Sequence, residues 1–160
     1  MNFHLRNAAD DHVPAIANVM ALAFEEHRGK LQPPSSSLDK SPESVRQELQ
    51  SAKAIVAVKD DNVVGCNVVG CVFYSVKDDY VYLAHLAVVP KCRGLGIARA
   101  LVLEVEKKAL EQNRTVIRLN VRLALEKTRA FYKSLGYSHF CYGTHPGFTE
   151  PTYVILEKRL

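Results

Sequence analysis

The residues from Val88 to Ala98, VVPKCRGLGIA, carry the clearest chemical signal in this chain. They join an apolar run typical of a strand, residues 80–89, to an amphipathic run typical of a helix, residues 97–112. Gly94 and Gly96 at this junction let the main chain approach a ligand closely, because no Cβ intervenes. The helix that follows directs free N–H groups and its positive dipole end at the loop, which favours phosphate or pyrophosphate. We therefore predict an anion site built mostly from main-chain atoms.

Positive charge surrounds this loop, since Lys91, Arg93 and Arg99 lie within a dozen residues of one another. The loop is not a P-loop, because no Gly-Lys-Ser/Thr follows the glycines. It is also a poor dinucleotide fingerprint, because only Gly94-x-Gly96 is present and the strand lies past the middle of the chain. An ordinary strand–turn–helix with a glycine-containing turn remains the alternative.

Hydrophobic spacing and turn residues divide the chain into eleven elements. Apolar residues from Val13 to Phe24 recur at helical spacing, with Asp10 or Asp11 as a candidate cap. The predicted strands cover residues 2–7, 52–59, 63–74, 80–89, 115–123, 137–142 and 152–157, and the predicted helices cover 13–24, 42–51, 97–112 and 126–135. Residues 60–62 and 77–79 are predicted hairpin turns. The order β-α-α-β-β-β-α-β-α-β-β indicates an α+β domain, a mixed sheet covered by helices.

Composition limits the class of protein. The 160 residues are 48% hydrophobic and 24% charged, which predicts one globular domain over 1–160. The net charge of +4 is mild and its basic residues are dispersed, so we do not expect nucleic-acid binding. The sequence has no apolar run near the ~20 residues of a membrane span and no charged-then-apolar leader. We expect a cytoplasmic protein without membrane association, and whether it forms a homodimer stays open.

The four cysteines show no metal or disulfide pattern. Cys66, Cys71, Cys92 and Cys141 include no Cys-x-x-Cys pair and no nearby histidine at ligand spacing. We expect reduced thiols and no metal site. Cys92, beside Arg93 and near a helix start, is the one cysteine whose setting lowers a thiol pKa, although a loop residue without a chemical role is the simpler interpretation.

Two separate segments resemble the GNAT superfamily of N-acetyltransferases. Leu86-Ala87-Val88 followed by Pro90-x-x-Arg93-Gly94-x-Gly96-Ile97-Ala98 resembles the acyl-CoA-binding signature of the family. Ala130-Phe131-Tyr132-Lys133-Ser134-Leu135-Gly136-Tyr137 resembles its Ala-x-x-Φ-Tyr-x-x-x-Gly-Φ segment. The resemblance implies a mostly antiparallel sheet with helices on both faces and splayed central strands. It also implies acetyl-CoA as cosubstrate and direct acetyl transfer to a primary amine.

The resemblance also implies roles for individual residues. The main chain of Leu86, Ala87 and Val88 would bind the pantetheine arm as an added strand would. The backbone amides of Arg93, Gly94, Leu95, Gly96, Ile97 and Ala98 would cradle the pyrophosphate. Tyr132 matches the tyrosine that commonly protonates the departing thiolate, and a phenol with a pKa near 10 can act as that acid. Without the motif, a tyrosine packed between helix and sheet would be the simpler interpretation.

The base that deprotonates the amine is less evident from the sequence. Relatives place Glu, His or Tyr on the strand before the signature, where this chain has Tyr82 and no carboxylate between residues 80 and 89. Strict alternation puts His85 on the opposite strand face from Tyr82, which favours a structural histidine packed beneath a helix. Asn120, on the adjacent predicted strand, is positioned to hold a water or the substrate, and we group it with the cofactor-binding residues.

The acceptor is not identified by the sequence. In the family it is selected by the loop after the first helix and by the last hairpin, which here are residues 25–42 and 143–151. Glu25, Glu26 and Glu150 in these loops are candidates to attract a cationic amine, or are simply solvated. The leading hypothesis is an N-acetyltransferase. The alternatives are a GNAT-like module that binds acyl-CoA without turnover and, with least support, a basic nucleic-acid-binding domain.

Overall fold

A computed structural model describes residues 2–60 and 67–160 of the chain. Within these residues one seven-stranded sheet has the order β1-β2-β3-β4-β5-β7-β6. Neighbouring strands are antiparallel except β4 and β5, which are parallel. The strands are β1 Phe3–Asn7, β2 Lys53–Lys59, β3 Val68–Val76, β4 Val81–Val88, β5 Val116–Arg122, β6 Ser138–Gly143 and β7 Tyr153–Arg159; the helices are α1 Val13–Phe24, α2 Pro42–Glu48, α3 Ile97–Glu111 and α4 Glu126–Ser134. The predicted α+β class and order of elements are confirmed.

Helices cover both faces of the sheet. On one face α1 and α2 pack through apolar residues that include Ile16, Met20 and Val45. On the other face α3 and α4 contribute Leu101, Val105 and Tyr132 to a second cluster. No helix in the described part of the chain is long and apolar enough to cross a membrane.

Gly70 sets the distance between α3 and the sheet. A Cβ at this position would lie 3.0 Å from the Cγ2 of Ile97 and 3.2 Å from both a Leu101 methyl and the carbonyl oxygen of Ala87. The bare glycine therefore allows the first turn of α3 to pack against β3 and β4. The loop that enters α3 is held at the end of β4 as a result.

The centre of the sheet opens between β4 and β5. These strands pair only at Val81 with Ile117 and at Tyr82 with Arg118, and then separate. From Leu83 onward the edge of β4 that faces β5 has no strand partner among the described residues, while its other edge remains paired with β3. The predicted splayed central strands are therefore confirmed.

A β-bulge in β4 overturns the predicted orientation of His85. Phe73 pairs with Ala84 and Cys71 pairs with Ala87, so β4 carries an extra residue in this interval, and His85 has φ +53°. A bulge interrupts strict alternation. His85 consequently turns toward α2 and lines the same cavity as Tyr82, instead of the opposite face.

Two smaller expectations also change. Asp10 and Asp11 lie in a single 3₁₀ turn and neither caps α1 with its side chain; instead the ring of His12 accepts from the amide of Ala9 at 3.0 Å. Ser41 does cap α2, accepting from the amide of Ser44 at 3.1 Å. The predicted hairpin at 60–62, the first residues of the predicted strand 63–74 and Cys66 lie at or beyond the edge of the described residues.

Candidate active site

The glycine loop after β4 presents open main chain in front of α3. Gly94 and Gly96 have φ of +78° and +83°, and Gly96 is the residue that caps α3. A Cβ built at either glycine would meet no described atom within 4 Å, so the space in front of the loop is open. The 15-residue helix α3 therefore directs its first N–H groups into this space, as the sequence predicted for an anion site.

The side chain of Arg93 does not supply free charge to this loop. Its guanidinium lies 2.9 Å from the carboxylate of Glu26 and donates to the carbonyl oxygen of Ala23 at 3.1 Å. These contacts fasten the loop to the end of α1. The hydrogen bond from Arg93 lowers the pKa of Glu26, so the pair stays ionised at neutral pH. The backbone of Arg93 is still available to a ligand. The exposed side chain of Arg99, on α3, also lines this region.

A groove of about 830 Å³ runs from this loop along the unpaired edge of β4. Its walls include the β4 residues Leu86, Ala87 and Val88, the loop and first turn of α3, and the start of α4 near Thr128. Of the residues predicted to bind a cofactor, Leu86, Ala87, Val88, Arg93, Gly94, Gly96, Ile97 and Ala98 line this groove. Leu95 is not among its lining residues and is 46% exposed.

A second cavity, of about 410 Å³, adjoins the groove beside the loop between α1 and α2, whose residues 33–37 line it. The two share wall residues that include Leu86, Leu125 and Thr128, so they meet at the gap between β4 and β5. Tyr82, Asn120 and Tyr132 all line this second cavity and none of them lines the groove. The structure thus brings the predicted catalytic residues together beside the gap, and it places Asn120 with them.

Tyr132 is a buried tyrosine at the wall of the second cavity. Its ring makes edge contacts with Phe131 and Tyr137, at centroid distances of 5.1 and 5.6 Å. The side chain is 5% exposed, and its hydroxyl has no hydrogen-bond partner among the described residues. Burial raises the pKa of Tyr132, and nearby Tyr82 raises it further. The phenol is therefore protonated at neutral pH and able to donate.

Tyr82 is also protonated at neutral pH. Burial raises its pKa, and the neighbouring Tyr153 and Tyr80 add to the effect. A phenol in this state donates a hydrogen bond and does not remove a proton from an amine. Tyr82 lies where relatives place the base, but its raised pKa favours a role in orienting a water over a role as the base.

Comparison with known proteins now decides the family. A family model described as the acetyltransferase (GNAT) family matches residues 17–137. The chain belongs to this family. GNAT proteins use acetyl-CoA, so the predicted cosubstrate is confirmed for the family. A comparison with curated proteins finds no match.

Solved structures share the fold over essentially the whole GNAT chain. PaiA N-acetyltransferase from Thermoplasma acidophilum, in complex with coenzyme A, is 18% identical with a TM-score of 0.81, and each chain is covered fully. The ribosomal-protein-S18-alanine N-acetyltransferase from Escherichia coli is 16% identical with a TM-score of 0.75, covering 99% of this chain and 94% of that one. IAA acetyltransferase from Bacillus cereus is 14% identical with a TM-score of 0.70, covering 99% and 100%. At these identities the likeness establishes the fold.

A hydrogen-bonded chain supports the wall of this GNAT cavity. The hydroxyl of Ser37 lies 2.8 Å from Nδ1 of His85, and Nε2 of His85 lies 3.0 Å from the carboxylate of Glu48. Lys40 donates to the same carboxylate oxygen at 3.2 Å. The carboxylate only accepts, so Nε2 donates to it, while Nδ1 and the Ser37 hydroxyl share the second hydrogen bond of the ring. His85 thus has satisfied ring nitrogens, as expected, but at the cavity wall.

This network makes a testable contribution to stability. Burial alone would raise the pKa of Glu48, but the hydrogen bonds and charges of His85 and Lys40 outweigh it and lower the pKa below 4.5. The ionised Glu48 therefore stabilises the fold fully above pH 4.5, its pKa in the unfolded chain. This stabilisation is lost as the pH falls through the lower pKa that Glu48 has in the folded protein. We expect Glu48→Gln to lower the free energy of unfolding by about 1–2 kcal/mol at pH 7, and this difference to shrink in acid. Denaturant titrations across this pH range measure it.

Glu43 provides the matched control on the same helix. Its carboxylate is exposed, and its ion pair with Arg46 is long, at 3.8 Å. Glu43→Gln is expected to change the free energy of unfolding by less than about 0.5 kcal/mol. A Glu48→Gln effect that stays constant from pH 7 into acid would contradict the assigned ion pair.

Several residues in the cavity wall or directly behind it were not predicted from the sequence. Ser37 lies 48 positions before His85, and Glu48 lies 37 positions before it. No feature of the neighbouring sequence marks either residue. Arg122 had a weak signal, because alternation along β5 places it two residues beyond Asn120 on the same face. The described residues include no group of His, Cys, Asp or Glu arranged to hold a metal.

Proposed function

We propose that this protein is an N-acetyltransferase that moves the acetyl group of acetyl-CoA directly to a primary amine of a small molecule or peptide. One observation carries the proposal: the groove along the β4 edge and the cavity that holds Tyr132 meet at the gap between β4 and β5. A cosubstrate in the groove and an amine in the cavity would therefore approach each other at that gap. Direct transfer between two bound molecules needs this arrangement.

The groove fits coenzyme A on three counts. The open, positive-φ glycines leave the amides of the α3 entrance accessible to a pyrophosphate. The unpaired edge of Leu86, Ala87 and Val88 offers main-chain groups to the amides of a pantetheine arm. The separation of β4 from β5 leaves room for a thioester at the end of that arm.

Acetyl-CoA supplies an acyl group already activated for attack by an amine. Within this site the amine nitrogen bonds to the carbonyl carbon, and the carbon–sulfur bond breaks with its electron pair remaining on sulfur. The hydroxyl of Tyr132 then donates its proton to that sulfur and recovers one from solvent. At neutral pH the amine is an ammonium, so it loses one proton to water before the attack, and the nitrogen loses a second proton as the amide forms. Tyr82 and Asn120 would orient that water beside the acceptor.

Binding and turnover test the proposal separately. We expect acetyl-CoA at about 100 times its Kd to stabilise the protein by about 2.7 kcal/mol, a rise of roughly 5–10 °C in Tm. NADH and ATP at the same concentration are expected to give little or no rise. Release of free thiol over a panel of amines then measures transfer. Binding of acetyl-CoA without thiol release on any amine would reject catalysis in favour of a binding module.

A further inference from the structure

The second cavity, in which the acceptor amine would bind, has a positively charged residue in its lining and no acidic one. Among the described residues that line it there is no aspartate or glutamate. Arg122 is its one permanently charged lining residue, and the other titratable lining groups are His27, His85, His145 and three tyrosines. A cavity of this composition offers no carboxylate to a second ammonium group of a polycationic amine.

Arg122 donates two hydrogen bonds to carbonyl oxygens but pairs with no carboxylate in the described chain. Its Nη1 donates to the carbonyl oxygen of Pro33 at 2.7 Å and its Nη2 to that of Pro34 at 3.2 Å. By contrast, the guanidinium groups of Arg28, Arg93 and Arg118 each contact a carboxylate within 3.0 Å. Arg122 has no carboxylate within ion-pair distance in the described chain. Burial lowers its pKa, but an arginine stays charged at neutral pH.

The carboxylates of the nearby loops do not offset this charge. Glu25 pairs with Arg28 at 2.8 Å, and Glu26 pairs with Arg93 at 2.9 Å. Glu150 is exposed and does not line the cavity. The alternative in which these glutamates attract a cationic amine therefore has no support from their positions.

The neighbouring side chains His145 and Tyr153 do not neutralise the charge of Arg122. His145 lies beside it, and both burial and the charge of Arg122 lower the pKa of His145. The imidazole is therefore a neutral hydrogen-bonding group at pH 7, held by Thr152 and packed at 5.0 Å on the ring of Tyr153. The ring of Tyr153 occupies the space beside Gly143. A Cβ on Gly143 would lie 2.1 Å from that ring, so glycine is needed for Tyr153 to take this position.

We infer that the acceptor is a primary amine bearing an anionic group, a carboxylate or a phosphoryl group, which pairs with Arg122. The inference rests on the proposed function and adds the substrate class. Arg122 and Asn120 share one face of β5, so an anion at Arg122 leaves the amine of a small molecule within the cavity near the β4–β5 gap. The planar guanidinium suits the two oxygens of a carboxylate. A volume of about 410 Å³ lies within the range of small-molecule sites.

Matched pairs of amines test the charge requirement. The panel contains L-amino acids with their carboxamides, 2-aminoethylphosphonate with ethanolamine, and spermidine as a polycation. With acetyl-CoA and thiol release as the readout, we expect the anionic member of the best pair to have a kcat/KM at least about 10-fold higher. Equal or better turnover of the carboxamide, of ethanolamine or of spermidine overturns the inference while leaving the proposed function intact.

Arg122→Gln tests the residue itself. We expect it to lower kcat/KM for anionic acceptors by about 10- to 100-fold, mainly through KM, and to lower kcat/KM for neutral acceptors by a much smaller factor. Arg114→Gln is the matched control, because Arg114 also donates to two backbone carbonyls, at 2.8 and 2.9 Å, but lies outside the cavity. An equal loss on charged and neutral acceptors would make Arg122 a strap for residues 33 and 34 and overturn the inference.

Binding separates the two proposals if turnover is absent. When no amine in the panel is acetylated, the proposed function fails. Calorimetry with the CoA-loaded protein then tests the inference by itself. We expect anionic amines to bind, and Arg122→Gln to weaken their affinity by about 10- to 100-fold. Failure of every anionic amine to bind the CoA-loaded protein overturns the inference.

Discussion

Tyr132→Phe is expected to slow acetyl transfer by about 10- to 1,000-fold while acetyl-CoA binds nearly as before. The phenylalanine ring fills the same space and keeps the edge contacts with Phe131 and Tyr137. Only the proton donor is lost, and the departing sulfur must then take its proton from water. The lower end of the range applies if water does this well, because a thiolate is a fair leaving group. Single-turnover measurements with a genuine acceptor, beside calorimetric affinity for acetyl-CoA, separate the two effects.

Tyr137→Phe is the matched control for this experiment. Its hydroxyl donates to Glu106 at 3.1 Å in the core, and its side chain lines neither the groove nor the cavity. We expect this variant to lose about 1–2 kcal/mol of stability with no change in the rate of transfer. Full turnover by Tyr132→Phe would mean that Tyr132 is structural and that the acid lies elsewhere.

Gly96→Val is expected to weaken acetyl-CoA binding by at least about 100-fold, equivalent to about 2.8 kcal/mol. The new side chain enters the open space in front of the α3 amides, where a pyrophosphate would lie. Because no described protein atom lies within 4 Å of that Cβ, the bulk clashes with the ligand and not with the fold. Isothermal titration with acetyl-CoA measures the loss.

Backbone strain requires its own control, since valine at φ +83° is disfavoured whatever the space around it. Gly147 has φ +86°, equally open surroundings and a position outside the groove. Gly147→Val is therefore expected to lose a similar amount of stability and to retain its affinity for acetyl-CoA. If folded Gly96→Val binds acetyl-CoA as the unchanged protein does, the assignment of the pyrophosphate site is wrong.

Features encoded by neighbouring residues were determined by the sequence. Helical spacing from Val13 to Phe24 and the Ser41 cap before Pro42 depend on contacts within a few residues, and both elements form as predicted. Gly94 and Gly96 lie between strand and helix as the local pattern indicated, and both have positive φ. The order of elements then follows, and with it the open groove at the end of β4.

Only the tertiary structure decided which distant residues meet at the site. The bulge in β4 breaks the two-residue period on which a strand prediction rests, and so it reverses the face of His85. Glu26 reaches Arg93 from 67 residues away and removes its side-chain charge from the loop, which neither local sequence reveals. Arg122 meets Pro33 and Pro34 across nearly 90 residues, so its charge enters the cavity without a carboxylate. The period of a hydrophobic pattern indicates on which face of a strand or helix a side chain lies. The balance of charges in a cavity depends instead on contacts between distant loops, and packing of the whole chain sets their paths.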